Sequence, residues 1–379
     1  NMTCPRSVVL GRQESPVVSF AADRHLLSGG LDGVLKRWPL DPAAAADVEN
    51  IWSRPGGRSA QIVSVVLDVG GRAVVVRDLR DHKNFIVPLD GATAGNRSAS
   101  RQIPGGDLRA GAPVWDPSGR WLAMFVFGGP EPNAIEIFDT ATDAERTLDT
   151  QPAAGGGCNE TGSQMSGADI PVWLRDGRLL SDGDGGLRLW DLATGSARVL
   201  RPCRAALENG YFWLSATPDS RTVLRLDLVE APAAPSSLSA FDLESQATRE
   251  ITSHGDWCVS MALDASGTIL VTGDKRGVVR VGPLTGGEPH LLFGHTAAVW
   301  SVAVSPDGRW IASGGDDGTI RLWPMPDLSK PPLHTLPHDE LLAKLKSLTN
   351  LRAVPDPGSD TGWKIEVGPF PGWATVPEW

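Results

Sequence analysis

The sequence predicts an all-β fold: a seven-bladed propeller, followed by a short C-terminal helix and a tail rich in proline, glycine and tryptophan. Three observations predict it. Apolar runs of strand length recur along the chain with turn residues between them. The first tight turn of each unit falls at Asp23, Gly71, Gly119, Gly177, Ser220, Gly267 and Gly308, at spacings of 48, 48, 58, 43, 47 and 41 residues. The 43 glycines and 30 prolines are spread between the apolar runs rather than clustered, as strands joined by turns require.

The clearest unit is HTAAVWSVAVSPDGRWIASGGDDGTIRLW, from His295 to Trp323. Its runs Val299–Val304, Trp310–Ala312 and Thr319–Trp323 are separated by turns at Pro306-Asp307-Gly308 and Asp316-Asp317-Gly318. Those turn residues tolerate positive φ, so the unit reads as a three-stranded meander. Sliding by 41 positions superposes His254 on His295, Gly267 on Gly308 and Thr272 on Ser313. Weaker copies run from Pro16 to Trp38 and from Asp169 to Asp191.

A lone meander leaves its faces wet, whereas radially stacked sheets cover one another and expose only short edges. Residues 1–337 therefore form the propeller, with blades at about 7–56, 57–104, 105–152, 164–202, 208–251, 254–293 and 295–337, and residues 338–379 a helix and docking tail. Insertions around Ala153–Gly157 and at Glu230–Ser239 are expected as surface loops. Ser7–Leu10 or Leu333–Leu336 could supply the last outer strand, and the N-terminal segment is preferred. In Asp339–Asn350, Leu341, Leu342, Leu345 and Leu348 share one face of a helix that Asp339 can cap. Beyond it Trp363, Phe370, Trp373 and Trp379 make a tail expected to pack on the propeller or on a neighbouring domain.

The sixth and seventh units resemble WD40 repeats, with Gly294-His295, Asp317 and Trp323 at the motif positions. The resemblance implies a structural tetrad of His295, Ser313, Asp317 and Trp323, in which imidazole, carboxylate, hydroxyl and indole satisfy one another inside the blade. Ser28, Asp32 and Trp38 match in the first blade without a histidine, and Asp184 and Trp190 match in the fourth. Arg276 stands where the sixth blade should carry the Asp, so that network must be absent or rebuilt. The tail also resembles the end of bacterial multidomain WD-repeat proteins. That implies a larger parent, and the chain, which starts at Asn1, is expected to be part of one.

A net charge of −10 with no basic stripe argues against nucleic acid. No apolar stretch reaches transmembrane length, so no membrane partner is expected. The four cysteines Cys4, Cys158, Cys203 and Cys258 are widely spaced and read as free thiols, which fits a cytoplasmic location. No HExxH, GxSxG, phosphate-binding loop or dinucleotide fingerprint is present, and the pair His334 and His338 precedes the helix rather than lying on one face of it. No catalytic residues, metal or cofactor are expected. The contact candidates are rim residues that lead into the innermost strands: Asp256 and Trp257 on the sixth blade, Trp300 on the seventh and Tyr211 on the fifth. Each tryptophan could instead fill a gap between blades, and Tyr211 could pack its ring while its hydroxyl stays wet. The favoured function is a non-catalytic interaction or sensor domain that binds a protein partner or other domains of its parent chain. An enzyme of hydrolase or lactonase type that uses the channel or rim, or a purely structural scaffold, are the alternatives.

Overall fold

The computed structural model describes residues 7–21, 25–40, 48–53, 61–68, 70–81, 83–89, 100–103, 109–110, 113–127, 134–149, 170–182, 186–202, 210–229, 235–255, 257–348, 351–356, 358 and 362–367. Within Ser7–Met325 the strands form seven antiparallel sheets, the blades. Blade 1 spans 17–53, blade 2 62–102, blade 3 109–149, blade 4 170–201, blade 5 210–250 and blade 6 258–293. Blade 7 spans 299–324 and takes its fourth strand from Val8–Arg12. In blade 3 the innermost strand is broken into Arg109–Ala110 and Val114–Trp115, both paired with Trp121–Phe127.

The turns show how the sequence sets this pattern. Gly71, Gly119, Gly177, Gly267 and Gly308 all have positive φ, and so does Ser220, at 59°. Asp23 lies outside the described residues. A side chain three residues upstream braces most of these turns from within, though blade 4 has Leu174 at that place. Asp68 Oδ1 accepts the amides of Arg72 and Ala73, and Asp264 Oδ1 those of Thr268 and Ile269. In blade 7 a hydroxyl does the same, Ser305 Oγ accepting from the Trp310 amide at 2.9 Å.

The core lies between blades. Leu27 and Leu35 of blade 1 pack with Ile62, Val74 and Val76 of blade 2, and Leu224 and Leu226 of blade 5 pack with Val259 and Leu270 of blade 6. Each blade packs on the next, and blade 7 on blade 1, so the circle closes. At that seam a Cβ on Gly314 would lie 2.1 Å from the Pro16 carbonyl oxygen, so only glycine lets the two blades meet this closely. Closure comes from the N-terminal strand, with Val8 opposite Leu322 and Arg12 opposite Thr319. Leu333–Thr335 is a single 3-10 turn and supplies no strand.

Pro326–Trp379 falls in a separate unit. Its helix runs from His338 to Leu348, with Asp339 and Glu340 in the first turn. Asp339 is therefore inside the helix rather than its cap, and its charge favours the positive N-terminal end. An antiparallel hairpin, Leu351–Pro355 with Trp363–Val367, follows. The density of proline and glycine around it hides those strands from the sequence. Trp363 is half exposed, whereas Phe370, Trp373 and Trp379 lie outside the described residues. Among the described residues no helix is long and apolar enough to cross a membrane.

Candidate functional site

The rim is built on polar networks inside the blades. In blade 7, His295 Nδ1–H donates to Asp317 at 3.0 Å, Ser313 Oγ–H donates to His295 Nε2 at 2.7 Å, and the Trp323 indole donates to Ser313 Oγ at 2.8 Å. Burial holds the His295 imidazole below its ordinary pKa although Asp317 pulls the other way, so the ring is neutral at pH 7. Burial pushes Asp317 up, but bonds from Thr319, the Thr296 amide and His295 outweigh it and hold the carboxyl at about 2.

Blade 1 has an equivalent that lacks histidine. Trp38 donates to Ser28 Oγ at 2.7 Å, Ser28 donates to Gln13 Oε1 at 2.5 Å, and Gln13 Nε2 donates to Asp32 at 2.7 Å. Gln13 fills the imidazole's place. Its role leaves no mark in the sequence, because it is not a histidine and belongs to the segment between the closing strand and blade 1. In blade 4, Trp190 donates to Ser181 at 2.9 Å, and Asp184 lies outside the described residues.

Blade 6 is rebuilt. His254 keeps its bond to Thr272 at 3.0 Å, but Gly282 replaces the tryptophan. The carboxylate moves two residues upstream, to fully buried Asp274. Asp274 accepts the amides of Arg276 and Val278, both at 2.8 Å, and the Arg280 guanidinium at 2.6 Å. Burial, with help from Arg280, pushes the His254 imidazole down to about 4.

These networks fix the loops at one end of the ring. There the turn between second and third strands meets the segment leading into the first strand. The Lys275 amide donates to Trp257 O, and the Asp316 amide to Ala298 O. Gly277, at φ +85°, abuts the next blade's loop, since a Cβ on it would lie 2.6 Å from His295 O. The loops of blades 6 and 7 thus form one continuous rim.

On that rim the two predicted tryptophans take different environments. Val299 pairs with Gly315 and Ser301 with Gly314, which leaves Trp300 as the extra residue of a β-bulge. A bulge re-aims a side chain, and Trp300 is 39% exposed rather than filling a gap between blades. Its indole donates to Asp316 Oδ2 at 2.6 Å, and Ser15 donates to the other oxygen at 3.1 Å. Trp257 is half-buried, with the Arg276 guanidinium 5.1 Å and the Lys275 ammonium 5.8 Å from its ring centroid. Phe293, which no sequence signal singled out, is exposed at the same end, paired with Val278 just after the Gly277 turn. Asp256 lies outside the described residues, and of Tyr211 only the backbone pairing with Leu228 is described.

Among the described residues no group of three His, Cys, Asp or Glu is placed to hold a metal ion. Of the cysteines, only Cys258 is described, and it is buried, its thiol donating to the His254 carbonyl oxygen at 3.0 Å.

The family described as WD domain, G-beta repeat matches residues 287–324, the outer strand of blade 6 and most of blade 7. A probable cytosolic iron-sulfur protein assembly protein 1 from Cryptococcus neoformans is 37% identical over 20% of this chain and 22% of its own length. Ribosome biogenesis protein YTM1 of Eremothecium gossypii is 36% identical over 27% of this chain and 20% of its own. Ribosome biogenesis protein ERB1 of Coccidioides immitis is 58% identical over 9% of this chain and 4% of its own. The chain thus spans about a fifth or less of the length of these curated relatives, all fungal. Seven radially packed sheets, an intact blade 7 tetrad and a family match on that blade make this chain a seven-bladed β-propeller of the WD40 type.

Proposed function

We propose that this chain is a non-catalytic protein-interaction module whose contact surface is the rim of blades 6 and 7. The observation that carries it is the bulged Trp300, held half-exposed by Asp316 at the same end of the ring as Trp257. An aromatic ring fixed by its own hydrogen bond loses little freedom on binding, which favours a hot-spot role. Relatives named for iron-sulfur protein assembly and for ribosome biogenesis support a scaffold role. A cytoplasmic location is supported by the word cytosolic in one relative's name. A bacterial multidomain parent rests on the resemblance of the tail alone, and these fungal relatives lend it no support.

The test is cross-linking of the full-length native protein to its partners, mapped by mass spectrometry. Cross-links should cluster on the loops around Trp257, Trp300 and Phe293, and the Trp257→Ala/Trp300→Ala pair should abolish them. Partner cross-links confined to the opposite end of the ring, and unaffected by that pair, would refute the assignment.

A further inference from the structure

We propose that this rim selects an acidic peptide segment, with an Asp or Glu carboxylate held by Arg276 above Trp257 and a neighbouring apolar side chain laid against Trp300. The proposal rests on the rim assignment above and adds the chemistry of the partner.

The starting point is the substitution at the second turn of blade 6. In blade 7 this turn carries Asp317, which is engaged inward by His295, Thr296 and Thr319. In blade 6 the inward role belongs to Asp274, and it is complete without residue 276. Arg276 is thus spared for the outside, and its guanidinium lies over the Trp257 ring. A guanidinium stacked on an indole presents its N–H fork edge-on, in the planar geometry that matches a carboxylate. Stacking also pre-orders a flexible side chain, which lowers the entropy lost when an anion docks.

The same geometry argues against a cationic ligand. The Trp257 ring that would receive one already has both Arg276 and Lys275 of the chain itself within 6 Å. On the blade 7 side Asp316 keeps its carboxylate on Trp300 and Ser15. Its negative charge steers an incoming acid toward blade 6, leaving the exposed Trp300 ring for an apolar neighbour.

The experiment is selection of a random peptide library displayed on phage against the full chain, followed by affinity measurements on synthetic winners at two salt concentrations. Winners enriched in Asp and Glu next to an aromatic or aliphatic residue are expected. Their affinity should weaken at least about tenfold on Arg276→Glu and fall with salt. Arg198→Glu, a charge reversal on blade 4, serves as the control and should leave binding unchanged. Winners that lack acidic residues but are lost on Trp300→Ala would overturn the acidic preference and leave the rim assignment standing. Winners that ignore Arg276→Glu, Trp257→Ala and Trp300→Ala alike would overturn both. A gain in affinity when a serine of the winner is phosphorylated would replace the carboxylate with a phosphoryl group as the preferred anion, and so overturn the stated choice of Asp or Glu.

Discussion

Gln13 joins the closing strand to the interior of blade 1, and replacing it should cost more than its single neutral amide suggests. Its side chain donates to Asp32 at 2.7 Å and to the Val34 carbonyl at 2.8 Å, and it accepts from Ser28. Its amide also donates to Gly318 O of blade 7 at 2.9 Å. Burial raises the pKa of Asp32, yet bonds from Gln13, Lys36 and the Val34 amide outweigh it and hold the carboxyl below its usual range. Gln13→Leu removes one bond to a charged group and two to neutral ones, and leaves Ser28 and Asp32 short of partners. The expected loss is about 3 kcal/mol. Urea unfolding followed by tryptophan fluorescence measures it. Gln13→Glu sharpens the test, because it keeps the shape but sets a second carboxylate against Asp32. Like charges raise the folded-state pKa of the introduced acid above its unfolded value of about 4.3. The variant is then closest to wild type below that unfolded value and loses stability as pH rises through the raised one. A loss under about 1 kcal/mol for Gln13→Leu, or a pH-independent deficit for Gln13→Glu, would refute the account.

Other perturbations follow from the same contacts. Gly314→Ala places a Cβ against the Pro16 carbonyl and should cost about 1–3 kcal/mol, read as a lowered urea midpoint. Arg225 bridges buried Asp182 and Asp227 at 2.8 and 2.6 Å, so Arg225→Met takes this cation from Asp227 and leaves Asp182 with Arg201, at a cost of about 3 kcal/mol by the same assay. The His254 pKa is depressed to about 4, so its contribution is present above an unfolded value of about 6.5 and is lost as pH falls toward 4. His254→Gln should flatten that part of the stability–pH curve, and an unchanged slope would show the imidazole is not its source.

The propeller was legible because its punctuation is local. A residue that must take positive φ, such as Gly119 or Gly308, marks a turn wherever it falls. The blade 7 tetrad was legible because its members stand at fixed positions within one unit. Gln13 was not, because it serves blade 1 from outside the meander, and a glutamine carries no signature of that role. The exposure of Trp300 escaped the sequence for another reason. Val259 of blade 6 is also skipped in the pairing and is buried, so a bulge alone does not decide which way the side chain turns. The outward role of Arg276 becomes visible only once Asp274 is seen to do the inward work.

The pairing of Arg12 with Thr319 sets a kinetic order. The strand Val8–Arg12 is synthesised ahead of the blades and must wait for nearly the whole ring to follow before its partner exists. Until then blade 7 has an open edge and blade 1 an uncovered flank, and loop-closure entropy makes their union late even in refolding from denaturant. An unpaired β-edge therefore persists while the ring is synthesised, which makes chaperone dependence and edge-to-edge aggregation the characteristic hazards of this propeller.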